Sequence, residues 1–422
     1  QPISRSASQW RRVSSFARIT ASLFAATTLV TACGGGGKDI GDSTTPTREA
    51  QLGARLLQKS DLAYLGAFRV PNGTSEASSF WYGGTALGYN PVNNSLFMTG
   101  HDHYQLSAEI SIPDVVNSTN LASLATATLL QSFRDPTEGR RNSVNPTDVN
   151  GIKIGGHFVY GGYLYVSAHT YYEAQGTGAV ASHFRRPLNL STTGQVIGPV
   201  KVGDNYPTTI AGYMATIPPE WQSAFGAPAF TGHTGTPGSH TLSMGPVVET
   251  FDPAQIGQAN PVPSQRLLFY SLFDGKSLPD QYGVALESPN PYWTHMSWVT
   301  GAAFPNGTRS ILFFGRHGLG AACYGTSCND PTFPGVQGYH AYPYIYQVWA
   351  YDANDLLAVK AGSKAYWQVK PYAIWKLELP FARDEGLLGG AAYDPSTNRI
   401  YISQYHADGD NPVIHVFKIA GN

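Results

Sequence analysis

Short apolar runs, rich in Leu, Ile, Val, Tyr and Phe, follow one another from residue 62 to the end of the chain. Gly, Asn-Pro, Asp-Pro and Asn-Gly separate them. The runs are too short for helices and carry the β-branched and aromatic residues of strands, and what lies between them is turn chemistry. Five runs close on histidine: Ser95–His101, Tyr163–His169, Ala227–His233, Ile311–His317 and Ile400–His406, at spacings of 68, 64, 84 and 89 residues. A Gly-rich strand and a turn precede three of them clearly, at Gly83–Pro91, Gly301–Gly307 and Gly389–Pro395. A third strand follows at Ala108–Ile112, Val247–Phe251, Gln347–Tyr351 and Val413–Phe417. A fourth is predicted at Thr128–Phe133, Leu267–Leu272 and Tyr372–Leu377. The second unit fits most loosely, with Val180–Arg185 and Val196–Val202.

The last unit has three strands, and Leu62–Val70 stands unclaimed at the other end. A four-stranded sheet cannot bury its faces alone, so repeated sheets stack radially, and joining the first strand to the last unit removes the exposed edges. The pattern therefore resembles β-propeller proteins in general. It predicts an all-β, five-bladed propeller over residues 55–422. Six or seven blades are the alternative, because the repeat is long for one blade. A β-sandwich would not space five histidines so evenly.

The N-terminal segment reads differently. Arg5, Arg11, Arg12 and Arg18 form a basic region with no acidic residue, followed by an apolar stretch from Ile19 to Ala32. That stretch is too short to span a bilayer. It ends in Leu29-Val30-Thr31-Ala32-Cys33, which resembles the lipobox of bacterial lipoproteins. The resemblance covers residues 1–33 only. It implies a signal peptide cleaved before Cys33, lipid on that cysteine, and a membrane attachment through the lipid alone. Residues 34–54, opening on four glycines, then form a flexible tether. Gly34 beside the lipidated cysteine favours the outer membrane. The chain begins with Gln1, so further residues are expected upstream.

With the four arginines of that segment set aside, 23 of the 27 basic residues remain against 28 acidic ones, a net charge of −5. Charge of this sign argues against nucleic acid as a partner. Cys323 and Cys328 are the two cysteines left beyond Cys33. In an exported protein they are expected to form a small disulfide loop, because their spacing does not suit zinc thiolates.

In a ring of blades, His101, His169, His233, His317 and His406 fall at equivalent places on one face. Aromatic residues crowd the loops there, and Trp81, Tyr104, Tyr172, Trp293 and His340 are the candidate binding residues. Sugars stack their apolar faces on such rings, so a polysaccharide or similar extracellular polymer is the expected partner. The five imidazoles admit three roles: locking one blade to the next, lining a ligand site, or holding a transition metal through some subset. With Tyr171 and Arg316 they could also serve β-elimination of an acidic sugar, Arg neutralising the carboxylate while His or Tyr moves the proton. An enzyme of that lyase-like or metal-dependent kind is the alternative to a binding protein, and a scaffold for a protein partner is a third reading. Asp408-Gly409-Asp410 is a candidate calcium site, though short of carboxylates. Phosphate-loop, His-Glu-x-x-His and Gly-x-Ser-x-Gly motifs do not occur.

Overall fold

Alternating inward and outward side chains, cut by tight turns, build five four-stranded antiparallel sheets. The computed structural model describes residues 53–421 apart from 76–77, 85, 149–150, 174–177 and 235–242. The signal segment, Cys33 and most of the tether lie outside the described residues. No helix among the described residues is long and apolar enough to cross a membrane.

The first strand is β1 (Leu62–Arg69). Blade I holds β2 (Leu87–Asn90), β3 (Ser95–Thr99), β4 (Ser107–Ser111) and β5 (Leu129–Arg134). Blade II holds β6 (Ile152–Tyr160), β7 (Tyr163–Thr170), β8 (His183–Pro187) and β9 (Ile197–Val200). Blade III holds β10 (Met214–Thr216), β11 (Ala229–Thr231), β12 (Val248–Phe251) and β13 (Ser264–Leu268), with the short helix α1 (Pro219–Phe225) after its first strand. Blade IV opens with β14 (Trp298–Ala303) and β15 (Ser310–Gly318), makes a small hairpin of β16 (Cys323–Tyr324) and β17 (Tyr339–His340), and continues through β18 (Tyr344–Asp352), the helix α2 (Ala353–Lys360) and β19 (Ala373–Lys376). Blade V holds β20 (Leu388–Asp394), β21 (Arg399–Asp408) and β22 (Asn411–Ile419). The innermost strands β2, β6, β10, β14 and β20 adjoin in that order, and β20 returns to β2. The ring is five-bladed and closes as the sequence predicts: β1 pairs with β22 from Leu62↔Ile419 to Arg69↔Val413.

Glycine lets the inner strands meet. A Cβ on Gly389 would strike the Gly84 carbonyl oxygen, and one on Gly301 would strike the backbone of Ala391. Any other residue would push those blades apart, which accounts for the Gly-rich start of each unit. Hydrogen bonds then stitch blade to blade. Ser107 Oγ meets His157 Nε2 at 2.8 Å, Ser167 donates to the Gly212 carbonyl at 2.6 Å, and Thr300 donates to the Gly389 carbonyl at 2.6 Å. Each such bond contributes about 1 kcal/mol. Between the blades lies the apolar core; Trp221, Phe304, Phe313 and Trp349 fill the space between blades III and IV.

Two expectations shift. The fourth strand of blade III is Ser264–Leu268 rather than Leu267–Leu272. Polar residues hid it: Arg266 pairs with buried Glu249 at 2.9 Å, while Tyr270 is buried beyond the strand's end. Asp408-Gly409-Asp410 is the turn of the β21–β22 hairpin, with Asp408 opposite Asn411 and Gly409 at φ +65°. Arg69 takes the Asp408 carboxylate at 2.7 Å, which leaves that group in an ion pair rather than a calcium cradle.

Candidate functional site

Every second strand (β3, β7, β11, β15, β21) runs toward the same face, so the five histidines share it. Their surroundings differ, because neighbouring loops differ in length and sequence. His317 is fully buried, and both its ring nitrogens are engaged: Ser297 Oγ meets Nδ1 at 2.7 Å, and Nε2 donates to the Asn290 carbonyl at 2.8 Å. Burial pulls this imidazole down to about 4. It fastens the loop leading into blade IV.

His169 and His233 form a pair with ring centroids 4.0 Å apart. Nδ1 of His169 donates across the blade boundary to the Ala211 carbonyl at 3.3 Å, and Nδ1 of His233 donates to the Thr208 carbonyl at 2.7 Å. Burial lowers both, His233 to about 4, and keeps the rings neutral so that they can pack together. His101 and His406 stand on the other side of the face. The Tyr82 ring lies between them, 5.6 Å from His101 and 5.7 Å from His406. His103 and Tyr104 lie 5.8 Å and 5.0 Å from His101. Tyr82 and His406 both have positive φ, +54° and +53°. Among the described residues no group of three or more His, Cys, Asp or Glu is placed to hold a metal ion.

The five rim imidazoles therefore do not converge. Histidines that sequence reading passed over add further bonds between and within blades. His157 and His183 reach Ser107 and Thr231 of neighbouring blades, while His415 ties β22 to Tyr64 of β1 and Gln404 of β21. Burial lowers all three, to about 4, 3 and 3.

A cavity of about 370 Å³ opens on this face between the end of β7 and the long loop of blade IV. Tyr171 and Tyr172 line one side. Trp298, Arg316, Tyr324, Phe333, Tyr339 and His340 line much of the rest, with Gln337 among the polar side chains there. Three of its tyrosines are well exposed: Tyr171 at 52%, Tyr172 at 56% and Tyr324 at 60%. The loop is braced from within. The disulfide Cys323–Cys328 closes its first turn, and β16–β17 pairs Tyr324 with Tyr339. Asp330 gathers the remainder, accepting from Thr332 Oγ1 at 2.6 Å, His340 Nδ1 at 2.9 Å and the Tyr344 hydroxyl. Burial opposes the charge of Asp330, but these donors outweigh it and hold the carboxyl at about 2.

Arg316 lies beneath this wall, 1% exposed. Its guanidinium sits 3.7 Å from the Tyr344 ring centroid, 4.7 Å from Trp298 and 5.1 Å from Phe333. Such aromatic faces stabilise a desolvated cation by about 2 kcal/mol or more. Burial still pulls Arg316 down to about 10, against the attraction of Tyr344, Asp330 and Glu385. It remains a cation at neutral pH.

Of the sequence-predicted residues, Arg316, Tyr171, Tyr172 and His340 meet at this cavity. His340 is itself buried, with Nδ1 on Asp330 and Nε2 on the Val336 carbonyl at 2.9 Å, so it braces the loop rather than presenting a free nitrogen. Trp293 corrects its prediction as a surface platform: it is 1% exposed and packs on Trp349 with centroids 5.0 Å apart. Its indole filled the blade interface because the turn anchored by Asn290 directs it inward. Trp81 and Tyr104 lie outside the cavity, Tyr104 on the His101 side. Trp298, Phe333 and Tyr344 were missed as cage residues. The usable signal was Arg316 itself, a single charge closing the apolar run Ile311–Gly315.

No family model and no curated protein matches the chain. Solved structures do. The arabinanase Arb43A of Bacillus subtilis is 10% identical, with 84% of this chain and 96% of that chain covered and a TM-score of 0.43. A GH43 endo-arabinanase from Bacillus licheniformis is 10% identical over 81% and 94%, with a TM-score of 0.38. The gluconolactonase XC5397 of Xanthomonas campestris is 11% identical over 86% and 94%, with a TM-score of 0.31. Likeness at this level carries no argument about what this chain does.

Proposed function

We propose that the protein is a cell-envelope lipoprotein whose histidine-bearing propeller face binds a glycan in the cavity of blade IV. The observation that carries this is a concave site of about 370 Å³ walled by aromatic rings, three of them well exposed, on a rigid ring. Its volume falls in the ~300–1,000 Å³ span of ligand pockets. Exposed tyrosines joined in one concavity suit a ligand with alternating apolar and hydroxylated faces.

Binding has more support here than acid–base catalysis. The covered part of the Tyr171 ring and the Asp102 carboxylate both push its phenol above the ordinary value, opposite to what a proton-abstracting base requires. His340 has both nitrogens committed. Lipid on Cys33 would hold the propeller at the outer membrane, and incorporation of labelled palmitate that Cys33→Ser abolishes checks that part. The binding reading is checked on a glycan array with purified propeller. Binding is expected, and is expected to weaken in Tyr171→Ala and Tyr324→Ala. Binding that both variants keep in full overturns this site.

A further inference from the structure

We infer that the cavity of blade IV takes a carboxylated glycan, one bearing uronic acid residues, and that Arg316 is the residue that reads the carboxylate. The inference rests on the glycan-binding reading and names the class of ligand.

Arg316 is among the largest fully buried side chains of the protein. It is 1% exposed, yet its Nε and Nη2 meet no hydrogen-bond partner among the described residues. A buried donor left without an acceptor is costly, and a charged one more so. The two nitrogens lie on one edge of the guanidinium, the edge whose parallel N–H bonds match the two oxygens of a carboxylate. The faces of the same group are covered by Tyr344, Trp298 and Phe333, which support the positive charge. Asp330 does not fill the role, since its oxygens are taken by Thr332, His340, Tyr344 and the backbone N–H of Phe333.

Arg316 lines the cavity that Tyr171, Tyr172 and Tyr324 open to solvent. A sugar stacked on those rings thus carries its substituents toward the guanidinium. The Nε and Nη2 atoms have almost no solvent contact, so the carboxylate enters by displacing part of the aromatic wall. A neutral sugar offers that edge only hydroxyl and ring oxygens, which carry no charge and hold the guanidinium more weakly than a carboxylate does. Sulfate esters share the anionic charge but not the planar two-oxygen geometry, and a sulfated arm of the experiment separates the two sources.

The test is titration calorimetry with the intact propeller and three forms of the same oligosaccharide panel. One arm uses oligogalacturonate and oligomannuronate. A second uses the same chains with the carboxyl groups reduced to alcohols, and a third uses sulfated neutral chains. The expected result is uronate binding that weakens about tenfold or more on carboxyl reduction, the size of one lost charge-assisted bond. Arg316→Gln is expected to erase that preference, and Arg316→Lys to restore part of it. The wild-type comparison needs no variant, so a misfolded Arg316→Gln does not decide the matter. Equal binding of the acid and reduced chains overturns the inference and leaves the glycan reading standing. Preference for the sulfated chains also overturns it in favour of a general anion site. Failure of every chain, neutral and acidic, overturns the glycan reading and this inference with it.

Discussion

The rim of blade IV and the rim where blade V meets blade I start from the same repeat and end differently. Both present the end of a second strand and its histidine. At blade IV the following loop is long, disulfide-braced and folded over Arg316, and it encloses a cavity. At the other rim His101, Tyr82 and His406 stand side by side without such a loop, and the β21–β22 turn is a two-residue hairpin. The lesson is that the repeat supplies an address on the ring, and the loop that follows decides the chemistry. Adjacent residues of β15 show it most sharply. His317, the repeated residue, has both nitrogens satisfied and is structural; Arg316, which does not repeat, has two donors without acceptors among the described residues and lines the cavity.

Acid should break the comparison with the largest effect. Buried His157, His183, His233, His317 and His415 have folded-state values of about 3 to 4, below the ordinary 6.5. The native form holds each ring neutral where the unfolded chain would take up a proton. Their contribution is therefore complete above about pH 6.5 and is lost as pH falls toward 4. At about pH 5 each costs about 2 kcal/mol. Thermal melts from pH 8 to pH 4 are expected to drop steeply below pH 6.5. A flat profile would show that these imidazoles are not held neutral.

Next in size is a pair of substitutions at equivalent repeat positions. His317→Gln leaves the Asn290 carbonyl or Ser297 unsatisfied inside blade IV and is expected to destabilise by about 1–3 kcal/mol. His101→Gln, on the partly exposed rim, is expected to stay within about 0.5 kcal/mol. Chemical denaturation of the two variants side by side measures the contrast, and equal losses would mean that the repeat itself, not the loop, sets the role.

Much of the fold was legible because its signals are local. Strand runs, turn dipeptides and the unclaimed strand Leu62–Val70 specify blades and closure without knowledge of contacts. The site was legible only in part. Tyr171, Tyr172 and Arg316 could be picked out by type and place, but whether an imidazole or indole faces ligand or core depends on loops packing across blades. Trp293 reads as a loop aromatic and lies in the interior; His340 reads as a ligand-facing group and braces Asp330. His157, His183 and His415 carry no repeat signature, since Ser107, Thr231 and Tyr64, which they reach, come from other strands far away in sequence.

The smallest expected effects sharpen the same contrast. Tyr324→Ala removes one ring from the cavity and is expected to weaken glycan binding by about 0.5–1.5 kcal/mol, while Tyr104→Ala at the other rim leaves it unchanged. Affinity titrations of the two variants check this. Equal losses would spread the site over the whole face.

The most direct measurement is a crystal structure of the propeller soaked with a uronate oligosaccharide. Density for a sugar stacked on Tyr171 or Tyr324, with its carboxylate against Nε and Nη2 of Arg316, is the result expected. Sugar seated instead beside His101 and His406 would contradict it.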